Sequence, residues 1–263
     1  MKNWKSIVLV IVLILIIALI GVVVYGFVKK STLTRQNPIV TMDIKDYGTV
    51  KIELYPDMAP NTVANFIKLI QNGYYDGLTF HRVVPGFMIQ GGDSKGDGTG
   101  KVMLKDLYPD TSDADDKEYT IRGEFLANNF SKNTLRFERG VIGMGRADFS
   151  QLSSSLKDEG YNSAGAQFFI MVDKNSSLDG TYAGFGCVTE GMDIVDKIVA
   201  LETTTETDDE GKETSTEKPV NPPVIEKMTV DTFGVDYGYP ETMDAFDYTS
   251  WLMQNYGSSF NAQ

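Results

Sequence analysis

The chain has 263 residues, enough for one large or two small domains, and 42% of them are hydrophobic. Its formal net charge is −12. Residues 1–30 contain four lysines and no acid, so residues 31–263 carry 20 of the 24 basic residues and all 36 acidic ones. This negative charge repels phosphate backbones and argues against a nucleic-acid partner. The single cysteine, Cys187, excludes an intrachain disulfide and a cysteine-based zinc site.

The first element along the chain is an uncharged run of Ile, Val and Leu at residues 7–28. As a helix it spans about 33 Å, enough to cross a bilayer core of about 30 Å. A cleaved signal peptide usually has an apolar region of only about 7–15 residues and a small-residue cleavage site, and the best candidate site here, Val24-Tyr25-Gly26, is poor. We therefore predict an uncleaved transmembrane signal anchor at 7–28.

The orientation of this anchor rests on the lengths of its flanks. Basic residues lie on both sides of the run, so the positive-inside rule is nearly balanced. Residues 1–6 are too few to form a domain, and short N-terminal anchors commonly leave the large C-terminal part outside. We predict a single-pass protein of the cell membrane, with a cytoplasmic segment at 1–6 and an extracytoplasmic domain.

The rest of the chain shows the pattern of a mainly β domain. After a polar linker at 29–37, apolar and polar residues alternate around Asp46-Tyr47-Gly48, which predicts a β-hairpin at 38–54. Asn61 is a candidate N-cap for a helix that ends near Gly73. A second helix is predicted at 192–201, and further strands at 79–84, 87–90, 119–121, 141–144, 167–172, 185–188 and 225–230. Many strands, two helices and frequent Gly turns favour a closed antiparallel barrel with helices over its ends.

Three segments do not fit this pattern. The Ser-rich segment 147–163 and the Thr/Glu/Asp/Lys tract 202–219 are predicted to be insertions that form surface loops. The C-terminal extension, 235–263, is rich in aromatic residues. We expect a helix at 242–254 that packs back on the barrel, and the alternative is a helix that docks a partner.

The most informative segment is Thr79–Asp93, which reads Thr-Phe-His-Arg-Val-Val-Pro-Gly-Phe-Met-Ile-Gln-Gly-Gly-Asp. It places one arginine and several large apolar side chains on two strands joined by a Pro-Gly turn. The alternation of a strand sends His81 and Arg82 to opposite faces and puts Met88 and Gln90 on one face. No second titratable group has an obvious acid–base role, so the segment suits a reaction without bond cleavage, such as rotation about an X-Pro bond.

Three blocks of sequence resemble the cyclophilin-type peptidyl-prolyl cis/trans isomerases. The segment from Phe80 to Asp93 is similar to the signature of that family, and residues 162–170 (Asn-Ser-Ala-Gly-Ala-Gln-Phe-Phe-Ile) are similar to its Gly-Ser-Gln-Phe-Phe-Ile strand. Leu178-Asp179-Gly180, followed by Phe185-Gly186, is in the right order and spacing. The resemblance covers about residues 38–234. It implies a closed eight-stranded barrel capped by two α-helices, after the one transmembrane helix, and proline-containing unfolded or flexible polypeptides as substrates.

The resemblance also implies the roles of single residues. Arg82 would be the catalytic residue, with Phe87 and Gln90 beside it. The substrate-binding residues would be Met88, Phe169, Leu178, Gln167, Gly145, Arg146, Tyr182 and His81. An apolar cup for the proline ring would be formed by Phe87 together with Met88, Phe169 and Leu178, while Gly145, Arg146 and Gln167 would line the groove for residues before proline. His81 is expected to support the site, since nothing supplies a nucleophile beside it. No cofactor and no metal is implied.

The sequence departs from the family pattern at several positions. Ser177 stands where many cyclophilins have Trp, which predicts weak sensitivity to cyclosporin. Tyr182 stands in place of a histidine and keeps an aromatic wall with a hydroxyl. Gly145-Arg146 replaces the common Ala-Asn and adds a charge beside the groove. The insertion that follows could cover part of the groove.

Two functions follow from these observations. The first is a membrane-anchored isomerase that accelerates X-Pro rotation in exported proteins, where this slow step can limit folding. The alternative is a non-catalytic cyclophilin-like module that binds peptides or unfolded chains at the membrane surface. The intact set of Arg82, Phe87, Met88, Gln90 and Phe169 favours the enzyme, whereas the insertion at 147–163 and the aromatic extension keep the alternative open.

Overall fold

The computed structural model describes residues 2–32, 36–111, 116–149, 152–207 and 213–260. The chain forms two units, Met1–Gln36 and Asn37–Gln263. The helices are α1 (Lys2–Thr32), α2 (Pro60–Gln71), α3 (Leu104–Leu107), α4 (Lys157–Tyr161), α5 (Met192–Val199) and α6 (Tyr248–Phe260). The strands are β1 (Ile39–Ile44), β2 (Gly48–Leu54), β3 (Thr79–Val84), β4 (Met88–Asp93), β5 (Tyr119–Thr120), β6 (Val141–Met144), β7 (Phe168–Met171), β8 (Gly184–Glu190), β9 (Thr203–Thr207), β10 (Glu213–Pro219), β11 (Ile225–Asp231) and β12 (Met243–Asp244).

The N-terminal unit is the long helix α1. Its segment Ile7–Val24 has a mean hydropathy of 3.8 and is not buried, and it is the one helix among the described residues that is long and apolar enough to cross a membrane. A membrane anchor and a signal sequence share these properties. The helix extends to Thr32, so the first four residues of the predicted linker are helical, and its residues 33–35 lie outside the described part.

The second unit is built on one eight-stranded antiparallel sheet with the strand order β11-β1-β2-β8-β6-β7-β4-β3. The two edge strands approach each other where Thr79 forms an isolated bridge with Val224 and the amide of Phe80 donates to the carbonyl of Pro223 at 3.0 Å. The predicted antiparallel sheet of eight strands is confirmed. Closure of the barrel is not confirmed, because these contacts form no continuous ladder between the two edge strands among the described residues.

Two amphipathic helices cover the main core. Helix α2 packs against β11, and α5 packs against β2. Their apolar residues recur at helical spacing and are buried, as the sequence predicts. Phe66 of α2 lies at the centre, with ring centroids 5.0 Å from Tyr75, 5.6 Å from Phe168 and 5.0 Å from Phe185. This packing fixes the sheet from one side and leaves its other face available for a groove.

The predicted N-cap of α2 is wrong. The helix begins at Pro60, so Asn61 lies inside its first turn. The cap comes from Glu124, whose carboxylate accepts hydrogen bonds from the amides of Asn61 (3.0 Å) and Thr62 (2.8 Å) and from the Thr62 hydroxyl (2.7 Å). A negative charge at this position is stabilised by the helix dipole. A cap supplied from a remote part of the chain leaves no local signal in the sequence.

Two predicted loops contain regular structure. The segment 202–219 forms an antiparallel hairpin of β9 and β10, with residues 208–212 outside the described part. Thr-rich strands suit a pleated surface better than a loop. The insertion 147–163 contains a short turn of 3-10 helix at Ser154–Leu156 and helix α4, and its residues 150 and 151 are not described.

The C-terminal extension packs on the domain through its first half. Strand β12 pairs with β5, so the predicted strand at 119–121 belongs to a separate two-stranded sheet and not to the barrel. The ring of Tyr239 stacks on that of Tyr108 with centroids 4.7 Å apart. Asn61 accepts from the amide of Glu241 at 2.7 Å and donates to its carbonyl at 2.9 Å. The helix starts at Tyr248, six residues later than expected from the sequence.

Candidate active site

Three side chains form a row across neighbouring strands of the large sheet. Arg82 of β3 lies directly opposite Gln90 of β4, and Gln90 lies opposite Phe169 of β7. Residues that face each other in an antiparallel ladder project to the same side of the sheet. The ladder therefore brings together a cation, an amide and an aromatic ring from segments that are up to 87 positions apart in the numbering.

The floor beneath this row is a small apolar cluster, separate from the main core. Its buried members are Met88, Phe137, Val141, Phe169 and Met171, and its partly buried members include Phe87, Leu178 and Tyr182. The ring of Phe169 stacks on Phe137 at 5.6 Å and meets Tyr182 edge-on at 5.8 Å. These contacts fix the orientation of the Phe169 ring and create a rigid apolar surface.

A cavity of about 620 Å³ lies above the cluster. The structure brings all eleven predicted site residues to its wall, namely His81, Arg82, Phe87, Met88, Gln90, Gly145, Arg146, Gln167, Phe169, Leu178 and Tyr182. The wall also contains Asp97, Gly98, Thr216 and Lys218, which the sequence reasoning missed. A cavity of this size and mixed lining suits a peptide segment with one apolar ring buried.

A chain of hydrogen bonds holds the polar side chains of the row. The Nε of Arg82 donates to Oε2 of Glu217 at 2.6 Å, and its Nη1 donates to Oε1 of Gln90 at 3.3 Å. Gln90 Nε2 donates to Oε1 of Gln167 at 2.9 Å, and Gln167 Nε2 donates to Oδ1 of Asp93 at 3.1 Å. The guanidinium is therefore anchored at two of its nitrogens, and each amide along the chain is fixed by its neighbours.

Asp93 ends this chain as a buried carboxylate. Only 1% of the residue is exposed, and its Oδ2 accepts from the amides of Asp97 (2.9 Å) and Gly98 (3.0 Å). Backbone amides compensate for the loss of water around a buried carboxylate. Asp93 thereby connects the loop of Asp97 and Gly98 with Gln167 on the polar side of the groove.

His81 does not follow the predicted alternation of β3. The register of β3 against β4 shifts between Phe80 and Arg82, so His81 is the extra residue of a β-bulge. His81 and Arg82 consequently line the same cavity, and the expectation that they face opposite sides is wrong. His81 is 5% exposed, neither of its ring nitrogens has a hydrogen-bond partner among the described residues, and burial lowers its pKa. A buried imidazole whose charged form is disfavoured agrees with the predicted role of His81 as a residue that supports the site.

Arg146 is held against aromatic rings. Its guanidinium carbon lies 4.3 Å from the ring centroid of Tyr182 and 5.0 Å from that of Tyr161. Nε donates to the carbonyl of Thr181 at 3.1 Å, and Nη1 donates to that of Ala147 at 3.0 Å. Cation–π contacts of this kind hold the head group of Arg146, which ties the start of the insertion 147–163 to the wall of the groove.

A second cavity of about 270 Å³ adjoins the first and shares Gln90, Gly98, Gly145, Arg146 and Gln167 with it. It lies on the side predicted for residues that precede proline. Among the described residues of the insertion 147–163, Ala147 and Ser163 reach this cavity, and none lines the larger one. The described part of the insertion therefore borders the groove without covering the apolar cup.

Two of the missed wall residues, Thr216 and Lys218, lie in the tract 202–219, which the sequence analysis predicted to be a loop. Together with Glu217 they belong to β10 of the hairpin. The signal for this hairpin is present in the sequence, since Thr-rich runs at 203–205 and 214–216 flank an Asp-Glu-Gly segment. Ser177 is exposed outside the cavity and bonds to the side chain of Asn175, so the wall lacks a large side chain at this position.

Comparisons with known proteins agree with this arrangement. A family model described as cyclophilin type peptidyl-prolyl cis-trans isomerase/CLD matches residues 39–230. A probable peptidyl-prolyl cis-trans isomerase of Brucella suis is 38% identical over 180 residues, which cover 66% of this chain and 77% of the relative. Peptidyl-prolyl cis-trans isomerase B of Bacillus subtilis is 37% identical over 150 residues, which cover 57% and 82%, respectively.

Among solved structures, a cyclophilin type isomerase of Cryptosporidium parvum, crystallised in the presence of the dipeptide Ala-Pro, has the same fold. The TM-score is 0.54 at 24% identity, and the match covers 73% of this chain and 98% of that one. The family match extends over most of the chain and includes every strand that contributes to the groove. The chain therefore belongs to the cyclophilin-type peptidyl-prolyl cis/trans isomerases.

Proposed function

We propose that the chain accelerates rotation about X-Pro bonds in exported proteins, with Arg82 stabilising the twisted amide while the apolar cluster holds the proline ring. The barrier to rotation is about 18–20 kcal/mol and arises from amide resonance. In the twisted state this resonance is lost and the nitrogen gains a basic lone pair. A fixed guanidinium donates to that lone pair more strongly than to the planar amide, and such differential binding lowers a barrier.

The observation that carries this proposal is the row of Arg82, Gln90 and Phe169. It sets a permanently charged donor beside an apolar surface. Of the five N–H groups of Arg82, two have partners among the described residues, namely the one on Nε and one of the two on Nη1. The other Nη1 proton and both Nη2 protons are the donors that we assign to the substrate.

The groove suggests the course of the peptide. The ring of proline would lie on Phe87, Met88, Phe169 and Leu178, and Gln90 would bond the peptide backbone. Residues before proline would extend towards the smaller cavity beside Gly145 and Gln167. The C. parvum structure, which was determined in the presence of the dipeptide Ala-Pro, agrees with a proline-containing substrate.

The location of the activity is the second part of the proposal. Helix α1 has the length and hydropathy of a membrane anchor, and we propose that it stays attached and leaves the isomerase domain outside the cytoplasm. Proteins that fold there after export contain X-Pro bonds whose uncatalysed isomerisation takes about 10–100 s at 25 °C. Protease accessibility on intact cells tests the orientation, and full protection of the domain would contradict it.

The activity is tested by two-dimensional exchange NMR of a short X-Pro peptide with the full chain in detergent micelles. We expect exchange that is accelerated by the protein, and a loss of at least about a hundredfold in Arg82→Ala. Arg136→Ala, which removes an exposed arginine outside the cavity, is the matched control. Binding without acceleration would instead support the non-catalytic peptide-binding module, and equal rates in Arg82→Ala would contradict the assigned mechanism.

A further inference from the structure

The hairpin of β9 and β10 contributes to the groove through a bulge. Strand β10 packs against β3, the strand that carries Arg82. In the hairpin ladder Ser215 lies opposite Thr205 and Pro219 lies opposite Thr203, so the three residues between Ser215 and Pro219 face Thr204 alone. A bulge redirects side chains that a regular strand would alternate between two faces. Here it brings Thr216 and Lys218 to the cavity wall and Glu217 to Arg82.

The bulge has a defined conformation. Glu217 has a φ of 61°, a left-handed backbone that is unfavourable for a residue other than glycine. Hydrogen bonds compensate for this cost. The amide of Glu217 donates to the Ser215 hydroxyl at 3.0 Å, and the Thr216 hydroxyl donates to the carbonyl of Thr204 at 3.1 Å. The carboxylate is therefore presented to Arg82 by an ordered backbone.

The contact between Glu217 and Arg82 is selective for one nitrogen. Oε2 lies 2.6 Å from Nε, and both side chains are 40% exposed. At this exposure the attraction between the charges is screened by solvent, so the main effect is on orientation. Without Glu217, the guanidinium would be held at its second anchor only, the 3.3 Å hydrogen bond to Gln90. The long side chain of arginine would then sample several rotamers.

We propose that Glu217 is a positioning residue for Arg82, and this inference rests on the catalytic role proposed for Arg82. The carboxylate accepts the hydrogen bond of Nε, the donor nearest the aliphatic part of the side chain, and thereby turns the terminal Nη groups towards the amide of the substrate. Glu217 therefore stabilises the transition state and does not affect substrate binding, because the cup that binds the proline ring is built from other residues. The insertion at 202–219 is accordingly part of the active site.

The test compares Glu217→Ala and Glu217→Gln in the full chain in detergent micelles, with Glu206→Ala as the matched control. Glu206 is an exposed glutamate of β9, opposite Thr214 in the same hairpin. We expect Glu217→Ala to lower kcat by about tenfold with KM changed by less than about twofold, because loss of alignment affects the reacting geometry. Glu217→Gln, which keeps an acceptor oxygen, should recover kcat to within about threefold of the native value.

An independent readout is the Nε–H signal of Arg82 in ¹H–¹⁵N spectra, identified by its absence in Arg82→Ala. It should shift and exchange faster with water in Glu217→Ala, and should remain protected in Glu217→Gln and Glu206→Ala. A kcat that is unchanged or raised in Glu217→Ala, while Arg82→Ala is inactive, would overturn the positioning role alone. Full activity of Arg82→Ala would overturn the proposed mechanism and the role of Glu217 with it.

Discussion

Gly143 of β6 lies directly opposite Phe169 of β7, and the ring of Phe169 occupies the space that a side chain at position 143 would need. A Cβ on Gly143 would lie 2.5 Å from Cζ of Phe169 and 2.6 Å from Cε1 of Phe137. The floor of the groove therefore depends on a missing side chain. Aromatic rings of this size pack against a glycine backbone only because nothing projects from it.

We expect Gly143→Ala to displace the Phe169 ring, to lower kcat/KM by at least about tenfold and to cost about 1–3 kcal/mol in the free energy of unfolding. Denaturant unfolding and peptide exchange kinetics measure the two effects. In the double variant Gly143→Ala/Phe169→Leu, the smaller side chain at position 169 relieves the clash with Phe169 and leaves only the one with Phe137, so the stability losses should be less than additive. Strict additivity would show that the two residues do not compete for space.

The cap of α2 predicts a stability effect away from the groove. Glu124 is 3% exposed and accepts three hydrogen bonds at the start of the helix. We expect Glu124→Ala to reduce the free energy of unfolding by about 2–3 kcal/mol, because buried amides lose their acceptor. Exposed Glu226→Ala is the control and should change it by less than about 0.5 kcal/mol. Equal effects of the two variants would contradict the capping role.

His81 predicts a dependence of stability on pH. Burial lowers its pKa in the folded state relative to an unfolded value of about 6.5. The unfolded state therefore binds more protons than the folded state near and below this pH. The contribution of neutral His81 to the free energy of unfolding is fully present above about pH 6.5 and is lost as the pH falls towards the pKa of the folded state. Thermal unfolding between pH 8 and 5 should show a smaller loss in His81→Leu than in the native chain. Parallel profiles would contradict this assignment.

The exposed position of Ser177 predicts a weak interaction with cyclosporin, as the sequence suggests. A tryptophan there would add a large apolar surface and an indole donor beside Leu178. We expect Ser177→Trp to lower the inhibition constant of cyclosporin by at least about tenfold. The neighbouring exposed Ser176→Trp serves as the control for added apolar surface. An equal gain in both variants would indicate non-specific binding.

The sequence predicts the groove better than its surroundings. The roles of Arg82 and Phe169 follow from the resemblance of two sequence blocks to a known family, and the shared face of Met88 and Gln90 follows from a period-two pattern. The burial of Val63 and Ile194 follows from helical periodicity. Such features depend on residues close in the chain, where spacing alone determines which side chains share a face.

The features that the sequence does not predict arise from remote contacts. Glu124 caps a helix from 62 positions away, and Glu217 reaches Arg82 from 135 positions away. A β-bulge moves His81 into the cavity wall, which periodicity cannot anticipate. The hairpin that carries Glu217 has a local Thr-rich signal, but its charged composition is also typical of a loop.

The order of the strands along the chain determines when the domain can complete its fold. Strand β1 is hydrogen-bonded to β11 near the other end of the domain, and Asn61 pairs with Glu241 across 180 positions. Contacts of such sequence separation form late, because long loops must close first. In the extracytoplasmic topology that we propose, β1 leaves the membrane first and lacks its partner β11 until almost the whole chain has been translocated. During that interval β1 has an unpaired edge, which makes the incomplete domain prone to aggregation until β11 arrives.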